Sequence, residues 1–143
     1  SILIDDTYNA SPPSVLSSLG VLAAHPAQRR VAVLGEMREL GPESEVAHRQ
    51  VGAVAGEIAD LVVAVGEGAA PLVEAARSID GRRPRVASFG ADERDGLAAF
   101  LLEELGQGDV VLLKGARGLR MEGIVQRLRT HDRDRDAAGP VAR

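Results

Sequence analysis

Five short apolar runs follow one another along the chain, at residues 2–4, 31–34, 61–65, 86–89 and 110–113. They are continuous rather than alternating, the pattern of strands covered on both faces of a sheet. Apolar residues at helical spacing lie between and after them. Val15, Leu16, Leu19 and Leu22 share one such face, and Ala47, Val51, Val54, Ala55 and Ile58 another. Leu72, Val73, Ala76 and Ile79 make a third, Leu97, Phe100, Leu101 and Leu105 a fourth, and Met121, Ile124, Val125 and Leu128 the last. Ser11 reads as an N-cap before Pro12 and Pro13, where a missing N–H does no harm. Ser44 and Asp92 read as similar caps, and Gly35, Gly66, Gly90 and Gly115 punctuate the strand ends. Strict strand–helix alternation predicts an α/β fold: a doubly wound, mainly parallel sheet of five or six strands, with right-handed crossovers and helices on both faces.

Composition narrows the picture. The chain has 143 residues, 45% apolar and 27% charged, so it suits one domain that needs no disulfide or metal staple. It has no cysteine, which removes thiolate chemistry and sulfur-ligated metals and fits a reducing compartment. The net charge is −4 without a basic block, and aromatics are only 2%, so neither phosphate-backbone binding nor base stacking is indicated. No apolar run approaches a membrane span, and no signal peptide is legible. The chain opens on Ser1 with apolar residues at once, which reads either as a cut at a domain boundary or as a lost initiator Met. From His131 onward charges alternate without an apolar face, so residues 1–130 read as the domain and 131–143 as a disordered tail.

In a parallel α/β sheet, ligands bind outside the carboxyl ends of the strands. The rare residues collect in the loops expected there. Asp5-Asp6-Thr7-Tyr8-Asn9-Ala10-Ser11-Pro12 holds the only Tyr and the only Asn. Its carboxylates suit ribose hydroxyls, yet the same residues also suit a plain turn. Gly35-Glu36-Met37-Arg38-Glu39-Leu40-Gly41-Pro42-Glu43-Ser44 is long for its position and reads as a binding loop, or as a solvated loop with Met37 and Leu40 plugging the sheet edge. His48 beyond it reads as a surface or capping residue rather than a base. Gly66-Glu67-Gly68 mimics a dinucleotide fingerprint but meets Pro71 where a third glycine belongs, and so reads as a tight turn. Lys114-Gly115-Ala116-Arg117-Gly118 brings the only Lys to the end of an apolar strand, where an anion is welcome. The alternative is that Lys114 and Arg117 neutralise helix carbonyls or Glu122. No G-x-x-x-x-G-K-[ST] motif and no His/carboxylate metal cluster is present, so phosphoryl transfer cannot be assembled from these loops alone.

Three motifs stand in order: Ile4-Asp5-Asp6-Thr7-Tyr8-Asn9-Ala10-Ser11-Pro12, Val33-Leu34-Gly35-Glu36-Met37-Arg38-Glu39-Leu40-Gly41, and Leu113-Lys114-Gly115-Ala116-Arg117 with Met121-Glu122. Jointly, over residues 1 to about 130, they resemble the C-terminal domain of the Mur ligases. The D-x-Y-N-A element is similar to the branch that joins D-alanyl-D-alanine to UDP-N-acetylmuramoyl-tripeptide in peptidoglycan synthesis; the sister branches usually carry a histidine there. The resemblance implies a Rossmann-like third domain of a cytoplasmic, monomeric three-domain enzyme. The first domain would bind the UDP-sugar peptide, and the central one would hold ATP phosphates and Mg2+. This domain would close over ATP and the incoming dipeptide, whose amine attacks an acyl phosphate.

The resemblance also implies residue roles. Asp6 would bind the ATP ribose, with Tyr8 and Asn9 lining the adenine and ribose side. Glu36 would face the closed cleft, and Lys114, Gly115, Ala116 and Arg117 would form the incoming-substrate loop. No catalytic residue and no tightly held metal or cofactor is expected in this fragment, which would be inactive alone. Ser11 stands where the family often has Asn, and Ala116 where it often has Ser, which removes a hydroxyl. The competing expectation is a stand-alone nucleotide- or dinucleotide-binding module built on Gly66 and Gly68.

Overall fold

A computed structural model describes residues 2–5, 10–78, 81, 84–115, 126 and 130, with the backbone alone for residues 2–5. In chain order they form β1 (Ile2–Asp5), α1 (Pro12–Ala24), β2 (Arg29–Gly35), α2 (Ser44–Ile58), β3 (Leu61–Val65), α3 (Ala70–Arg77), β4 (Arg85–Phe89), α4 (Arg94–Glu104) and β5 (Asp109–Lys114). Short 3-10 turns, Gly41–Glu43 and Glu67–Ala69, lead into α2 and α3. Each apolar run lies within a strand. β2 and β5 extend past their runs because ladder pairing sets a strand's length: Arg29 pairs with Asp109, and Leu34 with Lys114. Ile79, the apolar face from Met121 to Leu128 and the tail 131–143 lie outside the described residues.

The described strands form one parallel sheet in the order β1-β5-β2-β3-β4. The last strand is thus inserted between the first two. Strand alternation sends Ala32, Leu34, Val62, Ala64, Val110 and Leu112 to one face, where they pack with buried residues of α1, α2 and α3. Val31, Val33, Leu61, Val63, Val65, Val111 and Leu113 go to the other, where Leu97, Ala98 and Leu101 of α4 pack. The steps β1 to β2, β2 to β3 and β3 to β4 advance one way with their helices on one face. The return from β4 to β5 reverses direction and puts α4 on the opposite face, as a single crossover hand requires. Edge strand β4 departs from the expectation of two covered faces. Arg85 and Ser88 are exposed and the rest of it is half-buried, because nothing pairs beyond it among the described residues.

Ser11 caps α1 as its sequence predicts. Its Oγ accepts from the Ser14 N–H at 3.3 Å, and the Ser14 Oγ accepts from the Ser11 N–H at 3.0 Å. The expected caps at Ser44 and Asp92 are not formed. Ser44 is the first residue of α2, and its N–H goes to the Gly41 carbonyl of the preceding 3-10 turn. Glu93 flanks α4 instead of Asp92, and its Oε1 accepts from the Gly90 N–H at 2.7 Å. Among the described residues no helix is long and apolar enough to cross a membrane.

Candidate functional site at the carboxyl edge of the sheet

Asp5 of β1 and Leu34 of β2 both lie in register with Lys114 of β5, which runs between them. The segments that leave the sheet after Asp5, Gly35 and Lys114 therefore start side by side. This shared origin is the part of the expected site that the topology assembles. Asp6, Tyr8, Asn9, Ala116 and Arg117 lie outside the described residues. Gly115 is described and half-buried. Lys114 is 0% exposed and shares a strand face with Val110 and Leu112. Among the described residues no buried side-chain nitrogen or oxygen lacks a partner, so its amine is held internally. An unpaired ammonium there would cost several kcal/mol.

The loop after β2 is anchored at several points. The Glu36 N–H donates to the Val65 carbonyl at 2.9 Å, and the Glu36 Oε2 accepts from the Gly68 N–H at 2.8 Å. Met37 is buried in the three-helix core, with Leu40 packed against it, as the plugging alternative expects. Arg38 and Glu39 are exposed, and Glu39 has φ +62°, an uncommon left-handed conformation for a side-chain-bearing residue. The loop thus spends Glu36 on its neighbour and presents Arg38 and Glu39 outward. Arg38 was signalled only as the single base among the loop's acids.

His48 corrects the reading of a surface residue. It is 0% exposed, its Nε2 accepts from the Met37 N–H at 2.9 Å, and its Nδ1 lies 2.7 Å from the Ser44 carbonyl. The available signal was its place beside Ala47 on the buried face of α2, four residues after Ser44.

The Gly66 and Gly68 turn has its own local reason. Gly66 adopts φ +104°, and a Cβ there would lie 2.7 Å from the Glu36 Cδ. A Cβ on Gly68 would lie 2.2 Å from the Glu36 Oε2. The glycine pair makes room for an internal carboxylate at the position where a fingerprint turn would meet an external phosphate. Pro71 follows in the first turn of α3, as expected of a tight turn. Beside this turn a cleft of about 430 Å³ opens between the ends of β3 and β4, whose helices leave to opposite faces. Glu67, Glu74, Asp92 and Glu93 line it against Arg77 alone, a balance that disfavours a phosphate. Among the described residues no three His, Asp or Glu side chains converge as a metal site.

Comparison with known proteins decides the family. The model of the Mur ligase, glutamate ligase domain matches residues 1–117. The chain belongs to the Mur ligase family. It is 36% identical over 124 residues to a UDP-N-acetylmuramoyl-tripeptide–D-alanyl-D-alanine ligase of Treponema pallidum, covering 87% of this chain and 27% of that protein. The ligase of the same name from Escherichia coli is 36% identical over 129 residues, covering 89% of this chain and 26% of the relative. This Mur ligase chain therefore spans about a quarter of the length of these relatives. The crystal structure of a MurF ligase from Thermotoga maritima in complex with ADP superposes with a TM-score of 0.71 at 28% identity, covering 94% of this chain and 29% of that one.

Proposed function

We propose that this chain is the C-terminal domain of the ATP-dependent ligase that joins D-alanyl-D-alanine to UDP-N-acetylmuramoyl-tripeptide. The observation that carries the reading is the register of Asp5 and Leu34 on Lys114. It starts the D-x-Y-N-A, G-E-M-R-E-L-G and K-G-A-R segments from one edge of one sheet. The names of the relatives and the ADP complex of the superposed ligase support it. We read the sheet as Rossmann-like and doubly wound, because helices on opposite faces leave its carboxyl edge open to a ligand.

In this reading Asp6 takes the ATP ribose, and Tyr8 and Asn9 flank the adenine. Lys114, Gly115, Ala116, Arg117 and Glu36 form the wall against the incoming dipeptide. Lys114 contributes positive potential from inside the fold rather than by reaching out, since its side chain is buried. ATP supplies the phosphoryl group that activates the tripeptide carboxylate. Magnesium is assigned to the central domain of the enzyme. The domain works in the cytoplasm, in a monomer, against the other two domains of the same protein, and is inactive alone.

The test uses the longer ligase. ADP release should require ATP, UDP-N-acetylmuramoyl-tripeptide and D-alanyl-D-alanine together, while the 143-residue chain alone gives none. Release that ignores the dipeptide would overturn the assignment. Asp6→Ala should raise the KM for ATP with little change in kcat, and an unchanged KM removes the ribose role.

A further inference from the structure

We propose that His48 is a positioning residue: through Met37 it holds the loop after β2 so that the Glu36 carboxylate sits on the Gly68 amide. A carbonyl can only accept, so the close contact of Nδ1 with the Ser44 carbonyl puts the ring proton on Nδ1. Nε2 is then bare and accepts from the Met37 N–H. One neutral tautomer satisfies both neighbours. The Ser44 Oγ, 3.3 Å from Nδ1, adds a weaker contact on the same side. Met37 is 4% exposed, so a hydrocarbon in place of the ring would fill the space and leave a buried N–H unpartnered.

The consequence reaches beyond the local packing of α2. Glu36 immediately precedes Met37, and its carboxylate has a narrow seat, wedged where Cβ atoms of Gly66 and Gly68 would stand. The backbone at Glu36 is held at Val65 on one side, and at Met37, by His48, on the other. Releasing the Met37 end lets the Glu36 side chain leave that seat. His48 thus couples α2 to the turn between β3 and α3. The link to turnover rests on the ligase reading above; the link to Gly68 does not.

The test contrasts two side chains of similar polarity and different reach. The amide of His48→Gln extends to where Nε2 stands and accepts from Met37, whereas that of His48→Asn reaches only the Nδ1 position. In the 143-residue chain, hydrogen exchange at the Met37 and Gly68 amides should speed up about tenfold in His48→Asn and stay near wild type in His48→Gln. Equal rates in the two variants, or a faster Met37 with Gly68 unchanged, would overturn the coupling. The wild-type ring provides a readout free of folding effects. Its nitrogen-15 shifts should show a protonated Nδ1 and a bare Nε2, and the opposite tautomer sinks the proposal. In the longer ligase, His48→Asn should lower kcat and His48→Gln should restore it. If Gly68 is released in His48→Asn while ligation is unchanged, the ligase role of this loop fails and the pin stands.

Discussion

At the amino edge of the sheet, Arg29 of β2 donates to Glu104 at the end of α4 at 2.6 Å, and Arg85 of β4 donates to the same carboxylate. Arg30 closes the carbonyl end of α1, donating to Leu22 at 3.0 Å and His25 at 2.8 Å. These charges are partly exposed and tie neighbouring elements together. At the carboxyl edge, Lys114 is fully buried, His48 is fully buried and Glu36 is committed to a backbone amide. The difference teaches what each edge does. Exposed pairs at the amino edge stitch the sheet shut and add modest stability. Buried polar groups at the carboxyl edge hold loops in one conformation, at the desolvation cost that such groups carry. The second arrangement suits the binding edge proposed above.

Substitutions can break this contrast, beginning with the largest effect. Lys114→Ala empties a fully buried site and breaks the internal interaction of its side chain, and should cost about 2–5 kcal/mol in denaturant unfolding; a loss below about 1 kcal/mol would place Lys114 with the exposed pairs of the amino edge. Gly68→Ala puts a methyl on the Glu36 carboxylate and should cost about 1–2 kcal/mol, with loss of the Gly68 amide contact visible by hydrogen exchange. An unperturbed Glu36 would show that the carboxylate has another seat.

Glu104→Gln tests the amino edge and should cost about 1 kcal/mol, discounted for its partly exposed partners. The hydrogen bonds from Arg29 and then Arg85 hold the Glu104 carboxyl below its ordinary value. The unfolded chain therefore takes up this proton first. The contribution is complete above the ordinary carboxylate range and is lost as pH falls through and below it. Glu104→Gln should flatten that acid-side slope, and an unchanged slope assigns acid sensitivity elsewhere. The smallest expected effect is a null one. A dinucleotide titrated into the 143-residue chain should give no heat, because Glu36 occupies the Gly68 amide. Micromolar binding abolished by Gly68→Val would restore the stand-alone binding module.

Among the described residues, sequence reading recovered the strands and the first four helices with their inner faces, because continuous apolar runs and period-3.6 spacing are written in local order, while the two covered faces expected of β4 were not found. Val31, Leu61 and Val111 announce covered strands, and Leu19, Val51 and Leu101 the inner faces of helices. The ends of the apolar runs placed the candidate loops after the strands for the same reason. Strand order was not legible. Nothing local to residues 109–114 says that they insert between β1 and β2, since that depends on pairing partners far along the chain.

The roles of single polar side chains escaped in the same way. Glu36 and Gly68 are 32 residues apart, and Met37 and His48 are 11 apart. From the sequence a glutamate in a long loop reads as ligand-facing or solvated, and the histidine on the next helix as a surface or capping residue. The sequence by itself determined which of the described segments become strands and helices, and that an α/β sheet brings the single lysine to one edge. Only the tertiary structure decided that Lys114 and His48 lie inside and that Glu36 serves a neighbouring turn. Burial of a polar group is settled by whether a partner stands within hydrogen-bond distance, and here the Met37 N–H that reaches His48 and the Gly68 N–H that reaches Glu36 come from other segments of the fold.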